Sequence, residues 1–349
     1  MTQDKLHNRP NVPPLRFPEF TGEWKHKTLG DISNNISSGR DKPQEGLFNL
    51  YGSTGIIGKT KIATYNGKIL LIARVGANAG LLQLVQDKCG VTDNTLVVDV
   101  ENEHEYLYYY LKHYNLNRLV FGSGQPLITG GMLKKICINF GSFSERRKIA
   151  FFLYLIDRRI AVQSRVIERL QSLMGGIIKR LTTQSPNTRI ADCLECNSST
   201  LQENQVNANG CYPVYGANGI CGYTDSPNIQ SDAILIVKDG SGVGNVSFES
   251  GEYSVIGTSN YLTAKSGYSL RYLYYCLMCF NFAPYKTGMA IPHIYFKDYG
   301  KAKIYCPAID EQEHIAKTLS MVERKIRIEQ AILMKLASQK QYLLQQMFI

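Results

Sequence analysis

The sequence predicts an α+β fold: two tandem mixed α/β globules, each followed by one long helix, with the two helices packed as a coiled coil. The first observation is the stretch 144–181. Stepping along it by alternating fours and threes gives Ile149, Leu153, Ile156, Ile160, Gln163, Ile167, Leu170, Met174, Ile177 and Leu181, nine of ten apolar. A seam sustained over four heptads is the signal of a coiled coil rather than of an ordinary surface helix. The second is that the seam recurs 166 residues later as Ile315, Leu319, Val322, Ile326, Glu329, Leu333, Leu336, Lys340, Leu343 and Met347, where Glu329 falls in the place of the one polar residue of the first seam, Gln163. The third is that the stretches upstream of each helix match in order. Y-G-S-T-G-I-I-G (51–58) parallels Y-G-A-N-G-I-C-G (215–222), and ILLIARVGANAG (69–80) parallels AILIVKDGSGVG (233–244), both at an offset of 164. Asn94 and Asn260, each within T-x-N-x-L, and YLYY at 106 and 272 follow at an offset of 166. The shift predicts a two-residue insertion in the second copy between Gly244 and Thr258. An internal duplication accounts for all of this.

Taken in order, residues 1–15 are polar and carry Pro10, Pro13 and Pro14, which reads as a loose N-terminal arm. Residues 16–143 form the first globule. Its β-type runs KILLIA, NTLVVDV and KICINF lie between Gly/Asn turns, and EYLYYYLKHY is its one helical stretch. Tyr106, Tyr109 and Tyr110 recur there at helical spacing, as the buried face of a short helix would. The first long helix spans 144–181, and TTQSPN (182–187) is a linker. The second globule spans 188–309 and the second long helix 310–349.

A net charge of +10 suits a polyanionic partner. Nine Lys/Arg against three Asp/Glu fall within 144–181. The nine cysteines are irregularly spaced, which suits a reduced, cytoplasmic protein rather than a disulfide framework. Two C-x-x-C pairs occur, Cys193/Cys196 and Cys276/Cys279. The second lies in YLYYCLMCF, where cysteines three apart fit an apolar helix face, and its repeat counterparts Tyr110 and His113 form no ligand pair. No metal site is expected. No signal peptide and no bilayer-spanning apolar run is visible.

The glycines of Y-G-x-x-G-I-x-G suit turns with positive φ. One reading is a structural hairpin. The other is a loop whose small residues let backbone approach a groove, so that Ser53, Thr54 and Lys59, or Asn218 and Tyr223 in the second copy, touch phosphate or base edges. Arg74 and Lys238 each stand just before a glycine turn that carries Asn78 in one copy and Ser241 and Asn245 in the other. GSGVG resembles a nucleotide loop, but that chemistry needs a helix N-terminus after the glycines. The strand-like LLQLVQ and NVSFES follow instead, so a β-turn without a cofactor is expected. In 121–136 and 286–304, Gln125, Lys134, Lys135, Lys286, His293 and Lys297 are candidates for DNA contact. Gln can pair bidentately with adenine, and Lys can reach guanine or phosphate. His293 alone does not make a catalytic base. No Asn/Asp-Pro-Pro-aromatic tetrad, G-x-x-x-x-G-K-[ST] loop or H-E-x-x-H occurs.

On these residues the chain resembles the specificity (S) subunit of type I restriction–modification systems. The resemblance covers 16–349 and rests on LRFPEFTGEWKHKTLGDI, Y-G-x-x-G-I-x-G, AIPHIYFKDYGKAKI, the helix starts SERRKIAFFLYLIDRRI and DEQEHIAKTLSMVERKI, and the duplicated order. It implies that each globule is a target-recognition domain reading one half of a bipartite, asymmetric site in double-stranded DNA. It implies that the helices form an antiparallel coiled coil with pseudo-two-fold symmetry, set the spacing and bind two methyltransferase subunits. Restriction subunits carrying the translocase and nuclease are further implied partners. S-adenosylmethionine, ATP and Mg are then expected on the partner subunits and no cofactor on this chain, which is a non-catalytic subunit in DNA methylation and restriction. The first copy departs from the pattern at QPLITGGMLKK, where IPHIYFKDYGK is expected. The residues alone leave two other readings open, a stand-alone DNA-modifying enzyme and a coiled-coil adaptor that never touches DNA.

Overall fold

Strand-forming β-branched runs and helix-forming Leu/Arg/Glu-rich runs alternate along the chain, and each sorts as its apolar pattern dictates. The computed structural model describes residues 11–120, 126–182 and 184–349, so Gln125 lies outside the described residues. The chain divides into two compact units, one of residues up to Ser164 together with Ile332–Ile349, the other Arg165–Ala331. Both boundaries fall inside the long helices, so these units do not coincide with the globule-then-helix segments read from the sequence.

In the first unit, β1 (Lys25–Thr28) leads into α1 (Leu29–Ile32), whose start is fixed by a capping box between Thr28 and Asp31. β2 (Asn35–Ser38), β3 (Phe48–Gly52), β4 (Gly55–Thr60), β5 (Tyr65–Ala73), β6 (Leu82–Val91) and β7 (Thr95–Asp99) follow. They form one sheet in the order β2-β7-β5-β6-β3-β4, antiparallel except for β3 against β6. Then come α2 (His104–Tyr114), α3 (Gly130–Lys134), β8 (Cys137–Phe140), which pairs with β1, and α4 (Phe143–Thr182). β5 is buried on both faces. Leu70 and Ile72 join the core formed by α2 and the helices, while Ile69 and Leu71 pack with Val85, Val91 and Val97 on the other side.

The first turns of α4 contribute Ile149, Leu153 and Ile156 to that core, and the last part of α8 (Ile309–Gln346) with the residues after it contributes Leu343, Met347 and Phe348. A fully buried side chain such as Leu153, 0% exposed, stabilises the fold by about 1.5–3 kcal/mol. Asp157 of α4 pairs with Lys340 of α8. The carbonyl of Ile349 accepts bonds from Tyr110 Oη and Asn139 Nδ2, which sets the end of α8 beside the strand that feeds α4. The two helices therefore run antiparallel in this unit. Residues 11–15 are not a loose arm. Asn11 and Trp24 exchange bonds, Leu15 N donates to Gln346 O, and Pro13 is buried.

The second unit repeats the plan. β9 (Thr188–Arg189) and α5 (Ile190–Cys193) match β1 and α1. β10 (Leu194–Ser198), β11 (Tyr212–Gly216), β12 (Gly219–Thr224), β13 (Ala233–Val237), β14 (Val246–Glu249), β15 (Ser254–Val255) and β16 (Ser259–Ala264) match the sheet. α6 (Leu270–Met278) and α7 (Phe296–Tyr299) match α2 and α3, and β17 (Lys303–Ile304) pairs with β9 as β8 does with β1. Here the sheet is in two parts, β10-β16-β13-β14 and β12-β11-β15, because the counterpart of the long β6 is interrupted at 250–253, where Gly251 has φ 88°.

Register corrects the position of the insertion. Ala73 faces Thr95 and Val237 faces Ser259, so strands β7 and β16 still correspond at the 164 offset. Asn94 thus matches Thr258 rather than Asn260. The offset reaches 166 only at α2 and α6, which places the two extra residues in the turn between Ala264 and Leu270, where Gly267 has φ 88°. Thr-x-Asn-x-Leu is a chance match, since Asn94 lies in the turn before β7 whereas Asn260 lies within β16.

The helix seams follow the heptad with one change of phase. Ile149, Leu153, Ile156, Ile167 and Met174 are buried, as are Leu319, Ile326 and Leu336, while Ile160, Gln163, Leu170, Ile315, Val322 and Leu333 are half-buried. Near the end of α4 burial passes from Ile177 to Ile178, 2% exposed. A straight helix drifts against a strict heptad by about 20° per repeat. Glu329 is 8% exposed and pairs with Lys325 one turn away.

Candidate nucleic-acid interface

Each globule fixes its helix by the same side-chain bonds. Tyr106 Oη donates to Asn139 O, and Tyr272 Oη donates to Tyr305 O. Tyr109 Oη donates to Asp157, and Tyr275 Oη donates to Glu323 at 2.9 Å. Burial foremost, and then the carboxylates, push these hydroxyls up, Tyr275 to about 12, so both remain donors at neutral pH. Arg146 donates to Gly141 O and pairs with Glu103, and Gln312 makes the matching bridge from Pro307 O to Ser269 N. The tyrosines are frame residues, as their spacing indicated.

On this frame, loops from distant parts of each globule meet. In the first, Arg74 N donates to Asn94 O, and Ile128 N donates to Arg74 O. Gly76 N bonds Pro126 O, and Ser53 Oγ reaches Asn94 O at 3.1 Å. Gln83 Nε2 clasps the hairpin tip through the carbonyls of Gly52 and Ser53. Thr54 and Asn78 are exposed at the tip and on the turn. The cluster thus joins the β3–β4 tip, the glycine turn after β5, the β6–β7 turn and the segment at 126–128.

The second globule builds the same cluster with other side chains. Lys238 N and Asp239 N donate to Thr258 O, Gly240 N bonds Pro292 O, and Ile294 N bonds Lys238 O. His293 pairs by backbone with both Asp239 and Thr287. Its ring lies edge-on to Tyr295, and its Nδ1 is 3.2 Å from Ile291 O. A Cβ placed on Gly242 would lie 3.6 Å from Ala217 O, which sets the hairpin tip with Asn218 beside Ser241 and Asn245. Asn218, Ser241, Asn245 and Lys286 are exposed. The turns need their glycines: Gly76 and Gly80 have φ 79° and 90°, and Gly240 and Gly244 have 94° and 89°. A strand follows each turn, not a helix, so neither turn can offer an anion the N-terminus of a helix.

Several residues grouped by sequence lie elsewhere. Lys59 sits at the far end of its hairpin, where Nζ bonds Asn49 Oδ1, and Asn49 in turn donates to Asp87. That bond from Asn49 is the main cause holding the Asp87 carboxyl below its usual range. Tyr223, the counterpart of Lys59, exchanges backbone bonds with Asn207 away from the tip. Lys134 and Lys135 are exposed at the end of α3, which packs on α1: a Cβ on Gly30 would lie 3.2 Å from Lys134 Cβ. Lys297 lies on α7, which packs on α5, and its ammonium sits 5.1 Å from the Tyr295 ring. The sequence reading missed Gln83, which acts by its side-chain amide, and Asn94 and Thr258, which act by their carbonyls; no motif announces these contacts. Of the two C-x-x-C pairs, the first does not meet as a pair, since Cys193 lies against Cys306. Among the described residues no group of His, Cys, Asp or Glu could hold a metal ion, and no helix is long and apolar enough to cross a membrane.

Fold and loops define a class: a duplicated module that presents two unlike loop clusters on one repeated frame. The chain matches the type I restriction modification DNA specificity domain family over residues 21–172 and again over 187–338, and it belongs to that family. Over 153 residues it is 29% identical to the type I restriction enzyme EcoprrI specificity subunit of Escherichia coli, a match covering 41% of this chain and 38% of that relative. Among solved structures it is similar to the S subunit of a type I restriction–modification system from M. genitalium, with a TM-score of 0.74 at 18% identity, covering 97% of this chain and 99% of the other. It is also similar to a structure described as underlying complex assembly and conformational transition of the type I R-M system, with a TM-score of 0.54 at 15% identity over 95% of this chain and 98% of that one. At these identities the structural likeness shows the fold alone.

Proposed function

We infer that this chain is the DNA specificity subunit of a type I restriction–modification complex. Each globule reads one half of a bipartite, asymmetric site, and the long helices set the spacing and bind two methyltransferase subunits. The observation that carries this reading is the pair of loop clusters, alike in backbone and unlike in side chains. Arg74 and Asn78 stand in one, and Lys238, Ser241, Asn245 and His293 in the other. Arg and Lys suit guanine or phosphate, while Asn suits adenine. Two unlike readers on one chain suit an unsymmetric target, whereas a symmetric dimer suits a palindrome. S-adenosylmethionine, ATP, Mg and the restriction subunits belong to the partners in this reading, and this chain supplies no catalytic group.

The test is replacement of residues 16–143 by the corresponding globule of a relative, read out as the methylation pattern of a genome carrying the hybrid and its partners. One half-site changes and the other stays. A change in both halves overturns the modular reading. The spacing role has its own test, because α4 is one helix of 40 residues, about 60 Å at ~1.5 Å per residue. Four residues inserted after Leu170 add about 6 Å and nearly keep the apolar face, so the unread spacer grows by about one or two base pairs. An unchanged spacer in an active insertion mutant shows that the helix does not set the distance.

A further inference from the structure

In the second globule the thiols of Cys193 and Cys306 lie 3.7 Å apart, buried, and separated by 113 residues of sequence. Cys193 closes α5 and is 0% exposed, while Cys306 follows β17 and is 8% exposed. Both backbones are held. Cys306 N donates to Asn187 Oδ1 and Asn187 Nδ2 donates to Cys306 O, each at 2.8 Å, while Lys265 N donates to Cys193 O at 2.9 Å. β9 and β17 pair immediately beside them. A disulfide bond is about 2.05 Å long, so closure asks the two sulfurs to approach by under about 2 Å. The matching positions of the first globule, one at the end of α1 and one at the end of β8, are Ile32 and Phe140, so the pair belongs to the second globule alone.

We propose that Cys193 and Cys306 form a reversible oxidation site, closed to a disulfide by a small peroxide, which staples the first and last strands of the second globule just below the long helix. Cys193 Sγ lies 3.3 Å from Arg189 O, to which it donates, and across the 3.7 Å gap either sulfur can be the donor. Either can therefore attack first, and the step is the same with the two exchanged. With Cys306 first, its thiolate attacks one oxygen of hydrogen peroxide, the O–O bond breaks, and hydroxide leaves, which gives a sulfenic acid at Cys306. The sulfur of Cys193 then attacks that sulfur, an S–S bond forms, the S–O bond breaks, and the proton from Cys193 leaves with the oxygen as water. The two thiols lose two electrons and two protons in all, and the peroxide becomes two waters. An external dithiol reverses the step by exchange. The closed loop of 113 residues encloses nearly the whole second globule and restricts its unfolded chain.

The test uses the full chain, with a second form in which the exposed cysteines Cys137, Cys211, Cys221 and Cys279 are replaced by Ser. Each is treated with stoichiometric hydrogen peroxide, alkylated under denaturing conditions and digested. The expected result is one linked peptide pair containing Cys193 and Cys306, an intact mass lower by two hydrogens in the second form, and recovery of both thiols with dithiothreitol. The unfolding midpoint of the second unit rises after oxidation, and C193S removes that rise. The proposal is overturned if both thiols remain alkylatable after peroxide, or if Cys306 runs on to sulfinic acid without joining Cys193. It is overturned equally if links form only among the exposed cysteines of the unsubstituted chain.

Discussion

The two globules share bonds where they hold a helix and part where they face outward. Tyr106, Tyr109 and Arg146 in the first do what Tyr272, Tyr275 and Gln312 do in the second, with the same acceptor positions on the following strand and helix. In the loop clusters only the backbone route is shared. Arg74 and Asn94 meet in one as Lys238 and Thr258 meet in the other, and apart from the shared basic residue the side chains that emerge differ. A frame that must pack against a long helix admits few substitutions, because each buried hydroxyl needs its partner. A turn held by its own carbonyls leaves its side chains free to suit different targets.

The largest effect expected from breaking this comparison comes from Phe348→Ala. That ring is 1% exposed and lies 5.6 Å from the rings of Tyr106, Tyr110 and His113. Its loss costs about 3–5 kcal/mol. Hydrogen exchange then shows lost protection throughout the first unit and unchanged protection in 188–331, and equal losses in both would show that the units are one. Next is Glu145→Ala. Glu145 is buried and bound by Arg16 at 2.7 and 2.9 Å and by Trp24, an arrangement absent from the second copy, where Glu311 is exposed. Arg16 can regain water, so the loss is about 2 kcal/mol against under about 0.5 kcal/mol for Glu311→Ala, as chemical denaturation would measure.

Tyr109→Phe and Tyr275→Phe sharpen the likeness instead. Tyr109→Phe removes a hydroxyl bond to a carboxylate, and Tyr275→Phe removes the matching one together with a 3.1 Å contact to Ser320 Oγ; each costs about 1–2 kcal/mol. Losses that differ by more than about 1 kcal/mol would show that the frames are not equivalent. The smallest effect is that of Arg74→Ala or Lys238→Ala on DNA binding by the assembled complex. Loss of one phosphate contact lowers the salt slope by about one and leaves both half-sites intact. A changed base in the methylated half-site would instead make that residue a reader of sequence.

The duplication, the long helices and the tyrosine faces were legible because their signals are periodic or come in pairs. Ile149, Leu153 and Ile156 announce a buried stripe wherever they stand. The T-x-N-x-L match misled because strand composition repeats more freely than strand register, and only the pairing of Val237 with Ser259 shows which residues correspond. The loop clusters were half legible. Arg74 and Lys238 stand beside glycines whose positive φ can be inferred, but nearness in sequence to the glycine motif or to the helix starts does not bring Lys59, Lys134 and Lys297 to the same clusters. Which partner a hairpin residue faces depends also on the bulge in that hairpin, which shifts register between Leu50 and Tyr51 in one copy and between Val214 and Tyr215 in the other.

The second unit is continuous in sequence, whereas the first needs Leu343, Met347 and Phe348 to complete a core begun at Trp24. A ribosome therefore delivers all of the second unit before it delivers the last part of the first. At about 5–20 residues per second, the first sheet waits on the order of 10–40 s for its closing helix after Ser164 has been made. Through that interval Tyr106, Tyr110 and His113 lack the Phe348 ring that packs against them. The order of birth is thus the reverse of the order of completion, and the globule that emerges first is the one that most needs shelter from its neighbours.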